Sequence, residues 1–446
     1  MKTSRFIKHF ITILCLLYPA YSHGSDQIPA PPQKLPVALV GGDIHTVSGA
    51  VIEKGTILFD NGKIVAVGNN VTVPSNAVTI NISGKQVYPG MIECISQLGL
   101  VEINAVRATV DYSELGTLNP NVRAEVAVNP DSERIPVTRS NGIALAVTVP
   151  VGGLIPGKSA LIKLDGWTWE DMTVKAPIGL VINWPRIQAT RAYGMSSSQD
   201  NRRLQVKQQL DELDKLFRDA RAYKKAREAS DKKGVPFHKT DVRLEALRPV
   251  LDRELPVWIV ANSIQEIESS IEWADREQVK MVLVGGADAP RAKELLKHKN
   301  IPVIVAPILR LPNRRHADYD EQFTVPLKLY EAGIPFCIAG GSGYGNERNL
   351  PYHAAMAAAF GLPKDIAMKS LTQFAAELLG VGDRIGTLDK GKDATLIVTD
   401  GDPLEISTHV EKMYIQGREV DMNDRQKMLY KKYSEKYRQI SEKVRK

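Results

Sequence analysis

Residues 257–286 read VWIVANSIQEIESSIEWADREQVKMVLVGG and contain a complete strand, helix and strand pattern. Short apolar runs at residues 257–260 and 281–284 begin and end the segment. Ser263 precedes the helical part and Glu266 follows three residues later, which is the spacing of an N-terminal capping box. Apolar residues at helical spacing form one face: Ile264, Ile267, Ile271 and Ala274. This pattern predicts one βα unit of a parallel sheet.

The same kind of apolar run recurs in both directions along the chain. Six further runs have the length of strands and lie at residues 87–94, 144–149, 159–164, 179–183, 302–305 and 335–339. Together with the first two they make eight strands, the number that closes a (β/α)8 barrel. We therefore predict an α/β protein whose larger part, residues 88–385, is a TIM-like barrel.

The two ends of the chain have a different pattern. Short β-branched or alternating runs lie at residues 37–40, 56–60, 63–67, 77–82, 394–398 and 410–415. Asn61-Gly62 separates the second run from the third, and Asn-Gly between two strands is a strong signal of a β-hairpin. We predict that residues 35–87 and 386–420 together build one small β-sandwich.

Two segments have the pattern of long charged helices. Residues 200–232 interrupt the barrel rhythm and contain a stripe of large apolar side chains: Leu210, Leu213, Leu216 and Phe217. This stripe predicts an insertion helix packed on the outside of the barrel, with a helix that binds a partner as the alternative. Residues 421–446 mix basic, acidic and apolar positions, which predicts an exposed charged helix and does not favour a nucleic-acid-binding arm.

The first 22 residues have the features of a secretory signal peptide. Three basic residues precede an apolar run at residues 10–17, and a small-x-small cleavage pattern ends at Ser22. Cleavage there would lower the net charge from +7 to +4, because the segment carries three basic and no acidic side chains. We therefore predict a periplasmic or secreted protein. No later run approaches about 20 apolar residues, so we predict no membrane span.

Composition limits the remaining possibilities. The chain has 446 residues, of which 43% are hydrophobic and 24% charged, so it can bury a large core in one or two domains. Only Cys94 and Cys337 lie beyond the predicted signal peptide, which excludes a disulfide framework for a protein of this size. Strand alternation points both thiols away from the barrel interior, so we expect two buried packing residues on strands that need not be adjacent, with a single disulfide left open.

Residues 371–405, LTQFAAELLGVGDRIGTLDKGKDATLIVTDGDPLE, resemble the amidohydrolase superfamily and, within it, the imidazolonepropionase-like group. They contain the helix, the Gly-x-Leu-x-x-Gly-Lys-Asp-Ala turn and the Asp-Gly-Asp-Pro strand end of that group. Asn-Leu-Pro-Tyr at residues 349–352 adds to the resemblance, which extends over residues 37–420. It implies a β-sandwich fused to a metal-dependent barrel, and hydrolysis of C–N bonds other than peptide bonds.

Residues 89–97, PGMIECISQ, resemble the first barrel strand of the same superfamily, Pro-Gly-x-Ile-Asp-x-His-x-His. Ile95 and Gln97 stand where that motif has its two metal-binding histidines. The three other metal-ligand positions of the superfamily match Val260, Gly285 and Ser342. The superfamily normally binds zinc or another divalent metal, and a catalytic zinc needs about three protein ligands. With these five positions replaced, we predict no metal cofactor.

Other side chains are candidates for a function at the same end of the barrel. His353 follows a glycine-rich loop and begins a helix, and Asp288 or Glu347 could act as its acidic partner in general acid–base chemistry. A lone histidine at such a position is more often structural. Gln97, Asn262 and Ser342 are candidates for lining a pocket that binds a neutral small molecule.

Three functional hypotheses remain open. The first is a secreted, metal-free and non-catalytic amidohydrolase-like protein, which binds a small molecule or pairs with an intact amidohydrolase paralogue or with a second copy of itself. The second is an active amidohydrolase with an unorthodox site. The third is a structural or interaction protein that depends on its charged helices. The sequence leaves open whether the chain is an enzyme.

Overall fold

The computed structural model describes residues 27–186, 199–230, 239–312, 314, 316–341 and 345–444. Within them the chain is a mixed α/β fold with two eight-stranded sheets. The strands are β1 Val37–Ile44, β2 Ile52–Asp60, β3 Lys63–Gly68, β4 Val78–Asn81, β5 Gln86–Pro89, β6 Met91–Ser96, β7 Ile143–Thr148, β8 Gly157–Lys163, β9 Thr173–Asn183, β10 Val257–Ala261, β11 Met281–Gly285, β12 Val303–Val305, β13 Phe336–Ile338, β14 Leu396–Thr399, β15 Val410–Ile415 and β16 Arg418–Glu419.

The helices connect and cover these strands. They are α1 Arg134–Arg139, α2 Trp169–Met172, α3 Gln199–Ser230, α4 Val242–Glu245, α5 Arg248–Leu251, α6 Ile264–Arg276, α7 Lys293–His298, α8 Val325–Ala332, α9 Leu350–Ala359, α10 Lys364–Leu371, α11 Gln373–Leu378 and α12 Arg425–Val444. Short 3-10 helices lie at Arg107–Thr109, Ala124–Ala127, Ala289–Ala292 and Glu347–Asn349. Across the described residues, no helix combines the length and the apolar composition that crossing a membrane requires. The predicted signal peptide at residues 1–22 lies outside the described residues.

The larger sheet is a nearly closed barrel in which β6 to β13 follow one another in chain order. Each of the eight runs predicted from the sequence contributes one of these strands, although the first run begins in β5 of the other sheet. Neighbours are parallel from β9 to β13 and between β6 and β7. The predicted parallel pattern is interrupted at β8, which is antiparallel to both neighbours because a hairpin loop, and not a helix, connects it to β7.

The capping box predicted for the first βα unit is present at the start of α6. Ser263 Oγ accepts a hydrogen bond from the Glu266 backbone N–H at 3.4 Å, and Glu266 Oε2 accepts one from the Ser263 N–H at 3.2 Å. Ile267, Ile271 and Ala274 are buried on the face that packs into the core. The capping residues thus fix where α6 begins, and the apolar face fixes how it lies on the sheet.

Two contacts join β6 and the end of β13, the first and last strands of the nearly closed barrel. The Gly340 backbone N–H, just after β13, donates to Glu93 Oε2 of β6 at 2.9 Å. Cys94 Sγ lies 3.5 Å from Cys337 Sγ, and both thiols are fully buried. The expected burial of both free thiols is confirmed, and the fold also brings these residues, 243 positions apart in the chain, into contact.

Strands from both ends of the chain share the smaller sheet, in the order β16-β15-β14-β5-β1-β2-β3, with β4 beside β1. Antiparallel pairing of β5 with β14 joins the two ends. Asn61 and Gly62 have φ angles of 48° and 77° and form the predicted hairpin turn between β2 and β3. The described strands form one hydrogen-bonded sheet around one apolar cluster, so a sandwich of two sheets is not confirmed.

The long helix α3 packs against α6 on the outside of the barrel. Phe217 is fully buried, and its ring meets the ring of Trp273 edge-on with centroids 4.9 Å apart. Arg221 Nη2 donates to the Glu277 carbonyl at 2.8 Å. Leu213 is also fully buried, so the apolar stripe of α3 faces the barrel within this chain.

Distant parts of the chain converge on Arg139, the last residue of α1. Its guanidinium donates to the Leu164 carbonyl at 2.7 Å, to Asp165 Oδ1 at 3.2 Å and to the Asp421 carbonyl at 2.8 Å. The side chains of Arg139 and Asp165 are each only 4% exposed. Burial lowers the pKa of Arg139 and raises the pKa of Asp165, which is the cost of holding this ion pair in the interior.

Substitution of Arg139 by Ala should lower the free energy of unfolding by about 3–5 kcal/mol, because it leaves the Asp165 carboxylate buried without its partner. Lys215 and Asp219 on α3 form an exposed ion pair, and Lys215→Ala should cost less than about 1 kcal/mol. Urea unfolding followed by tryptophan fluorescence measures both variants. Equal losses would contradict the role assigned to Arg139.

Candidate functional site

The candidate site lies at the barrel edge formed by the carboxyl ends of its parallel strands. In TIM-like barrels the groups that bind or transform ligands come from this edge. The sequence-predicted positions at or just after these strand ends are Ile95, Gln97, Val260, Asn262 and Gly285. The fold therefore brings the predicted positions to one edge of the barrel. Ser342 lies outside the described residues.

The end of β6 is organised by a buried carboxyl group. Glu93 is fully buried, and its Oε1 accepts a hydrogen bond from the Ile95 N–H at 3.0 Å while Oε2 accepts the one from Gly340. Burial raises the pKa of Glu93 well above its ordinary value. Our sequence prediction missed this residue, although it stands at the aspartate position of the Pro-Gly-x-Ile-Asp motif.

The two side chains that replace the histidines of that motif are both buried. Ile95 is apolar and offers no donor or acceptor. Gln97 is 2% exposed, and its Nε2 makes no hydrogen bond within the described part of the chain. A buried amide nitrogen without an acceptor costs free energy, and a bound polar molecule would remove that cost.

Asn262 fills the space beside Gly285. A Cβ on Gly285 would lie 2.7 Å from Asn262 Oδ1, and Gly285 has a φ of +95°, a backbone conformation that residues with a side chain rarely adopt. Asn262 Oδ1 itself has no hydrogen-bond partner among the described residues. A side chain at position 285 would therefore take an unfavourable φ and would require the Asn262 amide to move.

A second buried carboxyl group, Glu347, lies in the 3-10 helix that precedes α9. Neither of its oxygens has a hydrogen-bond partner in the described structure. The backbone N–H groups of Gln97 and Gly345 are close to this carboxyl group but do not reach hydrogen-bond geometry, and burial raises its pKa. The positive charge of Arg134 lowers the pKa of Glu347, against the effect of burial.

Arg134 reaches this region from α1, which packs against the 3-10 helix. Its Nη2 donates to the Glu102 carbonyl at 2.8 Å, whereas its Nη1 is buried without a partner in the described part of the chain. We refer to Gln97, Arg134 and Glu347 as the Glu347 cluster. Its members retain both donor and acceptor capacity that the described protein does not use.

His353 has a structural position in α9. Its Nδ1 accepts hydrogen bonds from the backbone N–H groups of Ile308 at 3.2 Å and Leu309 at 3.3 Å. Burial lowers the pKa of His353 to about 4. The ring is therefore neutral, with its proton on Nε2, and it ties α9 to the loop after β12. Among the described contacts no hydrogen bond joins His353 to Asp288 or Glu347.

Asp288 is occupied by an ion pair. Both of its carboxylate oxygens accept hydrogen bonds from Arg314 Nη1, at 2.7 and 2.9 Å, and Oδ2 also accepts one from the Ile264 N–H at 3.1 Å. Arg310 in the same loop has buried Nε and Nη2 atoms without partners among the described residues, and burial lowers its pKa. Sequence reasoning missed both arginines, because only the folded loop places them near Asp288.

The described residues do not fit the metal that the family resemblance implies. Ile95 and Val260 have apolar side chains, and Gly285 has none. Nowhere in the described ranges do three His, Cys, Asp or Glu side chains come together in a way that could hold an ion. A hydrolytic metal needs about three such ligands, and the described residues at this edge do not supply them.

Comparison with known proteins indicates the superfamily. No protein-family model matches the chain. It is 20% identical to the amidohydrolase tasK of Hapsidospora irregularis over 388 residues, which is 81% of this chain and 39% of that protein. The chain thus spans about two fifths of the length of that curated relative.

Among solved structures, the chain is similar to an amidohydrolase from Thermotoga maritima, with a TM-score of 0.76, 26% identity and coverage of 86% of this chain and 99% of the other. An adenosine deaminase from Xanthomonas campestris with bound zinc is similar with a TM-score of 0.50 and 16% identity, and the match covers 92% of this chain and 99% of the other. A prolidase in complex with N-methylphosphonate-L-proline is similar with a TM-score of 0.51 and 16% identity, and the match covers 86% of this chain and 99% of the other. The Thermotoga maritima structure and the curated relative together indicate the amidohydrolase superfamily. The deaminase and the prolidase, at 16% identity, show the fold alone.

The low pKa of His353 predicts a pH dependence of stability. In the unfolded chain the histidine takes up a proton near pH 6.5, whereas the folded protein resists protonation until about pH 4. Stability should therefore fall as the pH is lowered from 6.5 to 4, by about 3 kcal/mol. His353→Asn keeps an acceptor for the two N–H groups but cannot titrate, and it should remove this loss.

Urea midpoints measured between pH 7 and pH 4 test this prediction. His298→Asn, at the exposed end of α7, is the control and should keep the pH dependence of the parent chain. The same slope in all three proteins would show that other groups cause the acid sensitivity.

The close contact between Gly285 and Asn262 predicts a steric penalty at that position. Gly285→Ala introduces both an unfavourable φ and a clash with Asn262. Gly391→Ala introduces only an unfavourable φ. Gly391 has a φ of +89°, and no atom lies within 4 Å of the place that its Cβ would take. Gly285→Ala should therefore destabilise the protein by about 1–3 kcal/mol more than Gly391→Ala. Thermal unfolding of the two variants measures the difference. Equal destabilisation would mean that Asn262 gives way freely.

Proposed function

We propose that the chain is a metal-free amidohydrolase-like protein that binds a small polar molecule at the carboxyl end of its barrel and does not hydrolyse it by a metal-hydroxide mechanism. The observation that carries the proposal is the Glu347 cluster. It presents a buried carboxyl group, an amide nitrogen and a guanidinium nitrogen without partners in the described structure, at the edge where such folds bind ligands. We also assign the chain to the imidazolonepropionase-like group on its C-terminal turn and strand-end pattern.

Unpaired buried polar groups indicate the class of ligand. Glu347 and Asn262 Oδ1 offer acceptors, while Gln97 Nε2 and Arg310 offer donors. A molecule with an amine or amide N–H and a carboxylate or carbonyl oxygen complements both sets. Amino acids, acyl-amino acids and small cyclic amides have this combination.

The alternative of an active enzyme with an unorthodox site has less support. A general base needs a free basic atom within reach of the substrate. Nδ1 of His353 already accepts two backbone hydrogen bonds, and Asp288 is held by Arg314. Glu347 remains as an acid or base, but the described residues place no set of three metal-binding side chains beside it. Ligand binding without turnover is therefore the function that the geometry favours.

The predicted signal peptide would place this binding protein in the periplasm or outside the cell. A non-catalytic barrel in that compartment could deliver its ligand to an intact amidohydrolase paralogue or act as a homo-oligomer. A purely structural role is the remaining alternative. The polar groups buried at the barrel end favour the binding role, because a structural barrel gains nothing from leaving them unpaired.

Metal content and ligand binding of the mature protein test the proposal together. We expect elemental analysis to find less than stoichiometric zinc, manganese or iron, and added divalent metals to produce no hydrolysis of acyl-amino acids or cyclic amides. A tightly bound stoichiometric metal that supports turnover would overturn the metal-free assignment.

Binding should depend on Glu347. In calorimetric titrations with amino acids, acyl-amino acids and cyclic amides, Glu347→Gln should weaken the best ligand by about tenfold or more, since it removes a charge-assisted hydrogen bond from a buried site. Glu277→Gln is a matched control, because Glu277 is a largely buried carboxylate just after the end of α6, paired with Arg221. Equal effects of the two substitutions, or no binding in the whole panel, would count against the Glu347 cluster as the ligand site.

A further inference from the structure

The helix α12 is the most exposed regular element of the described chain. It begins after Asp424, whose Oδ1 accepts a hydrogen bond from the Lys427 N–H at 2.9 Å. Every residue from 425 to 442 is exposed, so this stretch lies on the surface without a covering layer. A helix of this length gains little stability from propensity alone and normally has a face that packs on something.

One side of α12 carries a stripe of large apolar and aromatic side chains. Its members, with their exposed fractions, are Leu429 at 41%, Tyr430 at 77%, Tyr433 at 48%, Tyr437 at 66% and Ile440 at 46%. At helical spacing these residues span about 100° of the circumference, the width of the apolar side of a surface helix. Within residues 425–442, Met428 is the one large exposed apolar residue that falls outside this stripe.

The charges of α12 are arranged around the stripe. Residues 425–442 carry six basic and two acidic side chains. At about 100° per residue, Lys432 and Lys436 border the stripe on one side, while Glu435 lies on the opposite side of the helix. Glu442 shares that opposite side, and Arg438 forms hydrogen bonds with both acids. The surface next to the stripe is therefore cationic, and the negative charge faces away from it.

The charges around the stripe distinguish between two surfaces that could cover it, a second copy of α12 and an anionic phospholipid membrane. Pairing with α12 of a second copy would need acids beside the stripe to match the lysines, and none borders it within residues 425–442. Lys432 and Lys436 would instead face cations or uncharged side chains of the copy. An anionic phospholipid surface satisfies both features, since it accepts apolar and tyrosine side chains at the headgroup level and attracts the flanking cations.

We propose that α12 is a peripheral membrane-binding helix that lies in the headgroup layer of anionic phospholipid membranes. Tyr433 and Tyr437 enter the interface, while Lys432 and Lys436 contact lipid phosphates and Glu435 faces water. The barrel is held at the membrane surface through residues 420–424, which Arg139 anchors by its hydrogen bond to the Asp421 carbonyl. This proposal is independent of the ligand that the barrel binds.

Vesicle co-sedimentation with the full mature chain tests the proposal. Vesicles of phosphatidylcholine with phosphatidylglycerol should bind the protein, pure phosphatidylcholine should bind it much more weakly, and high salt should release it. Lys432→Gln combined with Lys436→Gln should lower the affinity for anionic vesicles by about 25-fold, since each cation near such a surface contributes about fivefold. Tyr433→Ser combined with Tyr437→Ser should also weaken binding.

Two control variants test whether vesicle binding depends on the lysines beside the stripe or only on the overall charge of the protein. Lys293→Gln with Lys297→Gln removes the same charge from exposed positions of α7 and should change vesicle affinity by less than about twofold. Glu435→Gln with Glu442→Gln should leave binding unchanged or tighten it. Far-UV circular dichroism and thermal unfolding verify that all variants remain folded.

Several outcomes would overturn the proposal. Failure of the parent chain to bind anionic vesicles would do so directly, as would equal losses in the α7 control and the α12 lysine variant. Sedimentation velocity identifies the competing occupant: a dimer that the tyrosine substitutions dissociate, without vesicle binding, would assign the stripe to a second copy of the chain.

Discussion

The buried carboxyl group of Glu93 links β6 and the end of β13, the first and last strands of the nearly closed barrel. Its two oxygens accept the N–H groups of Ile95 and Gly340, so one side chain fixes the ends of the first and last strands. A fully buried carboxyl group is costly unless such donors satisfy it. The elevated pKa of Glu93 records that cost. The 3-10 helix with Glu347 and helix α9 with His353 follow soon after Gly340 in the chain, so this link lies beside the segment that carries both residues.

Most of the fold could be predicted from local pattern. The apolar runs identified all eight barrel strands, and Asn61-Gly62 identified a hairpin, because strand length and turn chemistry are properties of short segments. The antiparallel direction of β8 could not be predicted from its apolar run, because the pattern of apolar residues is the same for a parallel and an antiparallel strand. Contact between Cys94 and Cys337 was equally invisible, because it results from closure of the whole sheet.

Prediction of the site had a different limit. Comparison with the strand motif picked out Ile95 and Gln97, and it passed over Glu93 although that residue occupies a motif position. The hydrogen-bond partners of the polar side chains could not be predicted from the sequence. Asp288 binds Arg314 because a loop returns over the barrel end, and Glu347 is left without a partner among the described residues because of how a 3-10 helix is buried. Such pairings are set by tertiary structure and leave no periodic signal.

One replaced ligand position, Gly285, is coupled through packing to the pocket candidate Asn262. Gly285 has the backbone conformation of a glycine, and the Asn262 amide occupies the volume that a side chain at position 285 would need. Returning a histidine to that position would require a different backbone angle and a different place for Asn262. The amide and the glycine therefore support each other. A single substitution at position 285 therefore changes the environment of Asn262 as well, so the chemistry of this edge depends on the two positions together.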